Sequence, residues 1–244
     1  MTNRTVETSP RLKARIAGVL YVIIIVLAVF APFPVAPSWL MRGDLAATVT
    51  KIVASNTLYS LGGAAELIVY ACDIGVALIF YELLKPVSRA LSLLAVFFRL
   101  AFAAIASANV LNHFAPLLLM SGAKYLTAFK PDQLRAFAVT FIRLHSIGFD
   151  IALVFFGFHC VVAGCLFFRS TFFPRTLGAL LAIAGLGYLT NCFVSFLSPA
   201  SAAHLLPYTL VLGVGEILLP LWLLVIGVNA QRWKEQASAA GMRI

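Results

Sequence analysis

Residues 143–165 read RLHSIGFDIALVFFGFHCVVAGC, an oily stretch that carries Arg143, His145, Asp150 and His159. Its apolar residues fill every helical face, so it reads as a helix surrounded by lipid or by other helices. An ionisable group at the centre of a bilayer costs about 2.5–3.5 kcal/mol, so such groups turn inward and meet partners. The stretch therefore implies an all-α bundle of membrane helices around a polar interior.

The composition agrees. The chain has 244 residues, of which 62% are hydrophobic and 11% charged, with a mean hydropathy of +0.99. Soluble domains carry about 25% charge. The formal net charge of +9 comes from Lys and Arg scattered at the ends of apolar runs. Without a basic stripe it reads as an orientation signal and gives no nucleic-acid surface. The four cysteines, Cys72, Cys160, Cys165 and Cys192, lie in apolar segments without CxxC or zinc-ligand spacing. They read as small core residues rather than a disulfide framework.

Crossing a bilayer takes about 20 apolar residues. Six segments qualify, near 16–36, 57–84, 88–120, 139–168, 175–198 and 207–229. The expectation is one integral membrane domain over 1–244, with a short interfacial helix at 123–137. The first segment follows RLKAR and runs into PFPVAP, a setting that favours a retained helix over a cleaved signal. With six spans, one side holds Arg4, Arg11, Lys13, Arg15, Lys85, Arg89, Arg169, Arg175, Arg232, Lys234 and Arg243. The other holds Arg42, Lys51, Lys124, Lys130 and Arg135. This excess puts both termini in the cytoplasm. A short echo, DIGVALIF at 73–80 and DIALVFF at 150–156, is open between a parallel repeat and chance.

Depth sorts the buried ionisable groups. Asp73 and Arg99 fall near mid-membrane on adjacent helices and are expected to form a structural ion pair. Glu66, His113, His145, Asp150 and Glu216 fall nearer the outer half. Acids with imidazoles can relay protons or hold a divalent cation, which makes these five the binding or proton-coupling candidates. Glu216 stands four residues before Pro220, whose missing N–H frees the carbonyl at 216; Gly213 and Gly215 loosen the same turn. It is expected to share a polar cavity with Glu66 or Asp150. His159 reads as a hydrogen-bonded core histidine, and Asn109 and Asn191 as bridges between helices.

Four runs carry a family resemblance: ARIAGVLYVIIIVLAVFA (14–31), LLKPVSRALSLLAVFFRL (83–100), FFGFHCVVAGCLFFRSTFFPRTLGALLAIAGLGYL (155–189) and GEILLPLWLLVIGVN (215–229). Together they resemble the bacterial domain of unknown function 4386 family over nearly the whole chain. The turn built on Arg169, Ser170, Pro174, Arg175, Leu177 and Gly178 is the most specific element. The resemblance implies a multi-pass protein of a bacterial inner membrane and brings no assigned activity, cofactor or catalytic residues.

Three functions follow from the residues. The leading one is a small transporter or permease with a proton- or cation-responsive carboxylate site, taking an ion or small molecule and partnered by the lipid bilayer. A non-catalytic partner or sensor subunit is the alternative. An intramembrane metal-assisted lipid hydrolase using His113, His145 and Asp150 is the third, although HExxH spacing and a nucleophile motif are missing. No GxGxxG, P-loop or haem-attachment motif occurs, so no cofactor is expected.

Overall fold

The computed structural model describes residues 9–30, 45–198 and 214–242, with side chains over 9–28, 49–198 and 217–242. The expectations for Glu216's side chain and for 31–36 and 207–213 lie outside these. Among the described residues the chain is helical and contains no strand.

Helix α1 spans Pro10–Phe30. It begins six residues before the apolar run because Ser9 Oγ accepts from Leu12 N at 3.2 Å and Pro10 occupies the first helical position. A ten-residue helix not foreseen from sequence, α2 (Leu45–Ala54), precedes α3 (Asn56–Leu84). Helix α2 is too short to cross a membrane; its Val49 and Ile52 pack with Tyr59, Ala138 and Ile142. Helix α4 spans Arg89–Leu119, entered through a turn in which Ser88 Oγ accepts from Leu91 N at 3.4 Å.

The interfacial helix expected at 123–137 does not form as one element. Lys124–Ala128 makes a 3₁₀ turn, and Pro131 opens α5, which runs unbroken to Arg169. Proline suits a first helical position and disfavours a helical residue before it, which separates the two. Gln133 Oε1 then accepts from Lys130 N at 2.9 Å and secures the start. With 39 residues α5 is about 58 Å long, well beyond a bilayer's hydrocarbon core of about 30 Å. Helix α6 spans Arg175–Leu197. Helix α7 is described over Val214–Val225 with Pro220 inside it, and α8, also unforeseen, spans Ala230–Ala239.

Four of these helices, α3, α4, α5 and α6, are long and apolar enough to cross a membrane. Their outward faces are greasy: Leu78, Phe97, Leu111 and Leu186 are all more than half exposed. A soluble protein would not display that much large apolar surface, so the chain is a multi-pass membrane protein. Helix α5 packs between α4 and α6, α3 packs on α4, and α1 lies against α3 and α7.

The α5–α6 contact explains Gly178 of the turn motif and its partner Gly164 on α5. A Cβ on Gly164 would stand 2.7 Å from the Gly178 carbonyl oxygen, and one on Gly178 would stand 2.6 Å from that of Gly164. Only hydrogen at both positions allows the backbones to approach so closely. Between the helices Ser170 is buried, donating to the Phe167 carbonyl at 2.7 Å and accepting from Phe173 N at 3.3 Å. The Ser170 hydroxyl is thus satisfied within the turn, while Thr171 N and Oγ1 donate to Gln236 Oε1 on α8.

The hairpins define two ends. At one, α1 begins, α3 ends and α8 docks, joined by Lys13–Glu82 at 3.2 Å, Lys85–Glu82 at 2.9 Å and a Trp233 Nε1 donation to the Leu83 carbonyl at 2.9 Å. At the other, α3 begins beside the end of α4, where Tyr59 lies against His113.

Candidate metal centre

Two polar clusters are buried between the helices, and they differ in how completely they satisfy themselves. The first is centred on Arg99, which is fully buried. Its Nε donates to Asp73 Oδ1 at 2.9 Å, and Nη2 makes a second, shorter contact to the same oxygen. Its Nη1 donates to Tyr21 Oη at 2.7 Å and faces His159 Nε2 at 3.1 Å. His159 Nδ1 meets the Ala95 carbonyl at 2.8 Å. A carbonyl only accepts and a guanidinium only donates, so His159 carries its proton on Nδ1 and accepts at Nε2. The rings of Tyr21, Phe156 and Phe80 lie 4.9, 5.4 and 5.9 Å from the guanidinium carbon. Every strong partner of this cation is a protein group, which suits a strut.

The second cluster joins three helices nearer the Tyr59 end. Glu66 lies ten residues into α3, and His113 six residues before the end of α4; α5 adds His145. Glu66 Oε1 stands 3.1 Å from His113 Nδ1 and 3.5 Å from His145 Nε2. The three side chains each offer one ligand atom, all within 4.8 Å of one another. Ligand atoms about 2.1 Å from a tetrahedral ion stand about 3.4 Å apart, close to the two separations from Glu66 Oε1.

The outward nitrogens are held from behind. His113 Nε2 donates to the Tyr59 carbonyl at 2.9 Å, and its ring stacks on the Tyr59 ring with centroids 4.1 Å apart. Neutral His113 therefore presents a lone pair at Nδ1 to a carboxylate oxygen. Two acceptors at that distance need a proton or a cation between them. Glu66 Oε1 is, with Ser146 Oγ, one of the buried side-chain atoms that no hydrogen bond satisfies among the described residues. Glu66 Oε2 accepts from Tyr70 Oη at 3.3 Å.

His145 Nδ1 lies 3.2 Å from the Asn109 carbonyl oxygen and 3.2 Å from Asn109 Nδ2. Asn109 thus offers that nitrogen both an acceptor and a donor. Its amide also donates to the His145 carbonyl at 2.7 Å, tying α4 to α5. Ligating histidines that give the other N–H to a carbonyl are the usual outer shell of a metal site.

Glycine admits this arrangement. A Cβ at Gly63 would stand 2.6 Å from Phe114 Cζ and 2.9 Å from His113 Cδ2.

The five candidates read from sequence are therefore divided. Glu66, His113 and His145 converge. Asp150 is buried but does not join them, and lies within electrostatic reach of the Cys192 thiol on α6. Five residues separate it from His145, which turns it about 140° around α5. The carboxylate that the fold brings to His113 and His145 is that of Glu66. Arg143, read as part of the buried interior, is exposed; its long stem lets the charge reach outward. Tyr21, Tyr59 and Tyr70 were not singled out from sequence. Tyr70 had one signal, its place four residues after Glu66 on the same helical face.

The family model for a domain of unknown function (DUF4386) matches residues 16–227. The chain belongs to that family. An uncharacterized protein of Archaeoglobus fulgidus is 33% identical over 172 residues, covering 70% of this chain and 85% of its own length. No solved structure matches. Family membership supplies no chemistry, so the function rests on the geometry.

Proposed function

We propose that this protein binds a divalent transition-metal ion through Glu66, His113 and His145, inside a six-span bundle whose termini are both cytoplasmic. The carrying observation is the unsatisfied Glu66 Oε1, 3.1 and 3.5 Å from two imidazole nitrogens. Two imidazoles and one carboxylate suit Zn²⁺ or Fe²⁺ better than Ca²⁺ or Mg²⁺, which favour all-oxygen shells. Three protein ligands also leave positions open for water or a substrate.

Passage of a cation through the bundle has less support. Asp73 lies seven residues further along α3, about 10 Å from Glu66, and is bound to a fully buried Arg99. That carboxylate is already neutralised by Arg99, so it offers a cation moving deeper no free ligand. The site suits an ion admitted from the Tyr59 end and kept, as in an enzyme or a sensor. With both termini cytoplasmic, the orientation that the Lys and Arg asymmetry supports, that end faces away from the cytoplasm.

The test is metal content. Protein purified without chelator is expected to carry about one transition-metal ion per chain. Glu66→Gln, His113→Gln and His145→Gln should lose it, while His159→Gln keeps it. Metal-free wild type that takes up neither Zn²⁺ nor Fe²⁺ would mean that a shared proton holds the triad. Reporter fusions test the topology: residue 128 should read outside, and residues 86, 172 and 240 inside.

A further inference from the structure

At the end of the bundle remote from the metal centre, α1, α7, α8 and the α5–α6 turn enclose a cavity of about 360 Å³. Arg11 and Arg232 both line it, and no acidic residue lines it among those described. Each guanidinium is fastened once from the side. Arg11 Nε donates to the Val228 carbonyl and Arg232 Nη1 to the Thr171 carbonyl, both at 3.4 Å. Neither arginine pairs with a carboxylate among the described residues. Their remaining N–H groups form two forks suited to an oxyanion.

Other features favour the same charge. Asn229 caps α8 by accepting from Arg232 N at 3.1 Å, so the positive end of that ten-residue helix borders the cavity. Phe172, Phe173, Trp222 and Ile226 supply an apolar wall. Trp222 Nε1 donates to the Gly227 carbonyl at 3.1 Å, which fixes the indole as part of that wall. Lys13, Arg15, Lys85, Arg89, Arg169 and Arg175 crowd this end of the helices, where Glu82 is already committed to Lys13 and Lys85.

We infer that this cavity binds a phosphate-bearing anion, gripped between Arg11 and Arg232. Its place at the helix ends, with an oily wall beside two cations, matches an anionic phospholipid headgroup whose chains run down the bundle. The same forks would accept a soluble phosphate ester, so the source is left to experiment. The inference is independent of the metal centre, which involves other residues at the opposite end.

The test follows the thermal unfolding midpoint of detergent-purified protein titrated with phosphatidylglycerol, phosphatidylcholine or inorganic phosphate. Native mass spectrometry counts any lipid retained. Phosphatidylglycerol is expected to raise the midpoint saturably and to be retained, whereas phosphatidylcholine is not. Arg11→Gln with Arg232→Gln should weaken the response by at least about tenfold, since two charge-assisted contacts are lost. Arg89→Gln with Arg169→Gln, at the same end but outside the cavity, should respond as wild type. If inorganic phosphate alone stabilises the protein and the double variant abolishes this, the site stands and its ligand is soluble. Should the glutamine pair not fold, Arg11→Lys with Arg232→Lys keeps the charges but loses the forks, and should weaken retention too. No response to any phosphate compound would overturn the inference. So would equal loss of response in both double variants.

Discussion

Arg99 Nη1 lies 3.1 Å from His159 Nε2, while His159 Nδ1 meets the Ala95 carbonyl at 2.8 Å. Both ring nitrogens are therefore committed, one as acceptor and one as donor. His113 is equally buried, yet only its outward nitrogen has a partner of fixed role; the inward one faces the carboxylate of Glu66. Two histidines of one bundle thus differ in what stands on their second nitrogen.

Replacing His159 should accordingly cost stability and leave metal untouched. His159→Phe conserves the ring's contacts with Phe80 and Phe156 but strands an Arg99 N–H, while the Ala95 carbonyl keeps only its place in the α4 ladder. The stranded donor costs about 1–3 kcal/mol. The variant is expected to melt lower in detergent with unchanged metal content. Metal loss at normal stability would contradict the assignment of His159 to the strut.

The Asp73–Arg99 contact makes a sharper demand. Asp73→Asn or Arg99→Gln leaves its partner's charge buried without compensation, a loss of about 3–5 kcal/mol. The double change removes both charges and should recover part of the folded yield. Fluorescence-detected size exclusion of the four proteins measures this. A double variant no better than the worse single one would show that the two side chains are not energetically coupled. Tyr21 and His159 also depend on Arg99, so recovery will be incomplete.

What could be read in advance, and what could not, divides along physical lines. Spans α3 to α6 were legible because lipid demands about 20 apolar residues in a row. The pairing of Asp73 with Arg99 was legible because counting residues from the helix ends sets depth. Rotation about the helix axis was not. Helices apolar on every face give periodicity little to reveal, so Asp150 was grouped with His145 although it turns away around α5. The rotations depend on close contacts such as Gly63 with His113, visible only once helices are packed. Helices α2 and α8 escaped notice because ten residues cannot span, and short segments give a weak periodic signal.

Gly63 supplies a test of that packing. Gly63→Ala places a methyl group where Phe114 Cζ and His113 Cδ2 now lie, 2.6 and 2.9 Å from the new carbon. The aromatic rings must move, and overpacking of this kind costs about 1–3 kcal/mol. Since His113 is clamped by Tyr59, its displacement would open the gap to Glu66. The variant should fold, melt lower and bind Zn²⁺ more weakly than wild type, as competition with a chelator would report. Unchanged affinity would mean that His113 is not a ligand or that the rings yield freely.

Asn109 tests the outer shell without touching a ligand. Its carbonyl and amide both face His145 Nδ1 at 3.2 Å, and the amide also holds the His145 carbonyl at 2.7 Å. Asn109→Ala keeps the backbone acceptor and removes the amide. His145 then loses the contact that fixes α5 against α4. Outer-shell changes of this type lower metal affinity by about 10–100-fold. Asn109→Asp discriminates further: its carboxylate can accept from Nδ1–H, favouring the tautomer whose Nε2 lone pair points at Glu66. The alanine variant should lose affinity, and the aspartate variant should retain more of it, although the amide donor is missing from both. Equal loss in the two would assign the role of Asn109 to helix packing alone. A titration of each purified variant with Zn²⁺ against a chelator of known affinity separates these outcomes, because packing loss lowers the melting temperature of metal-free protein whereas tautomer control does not.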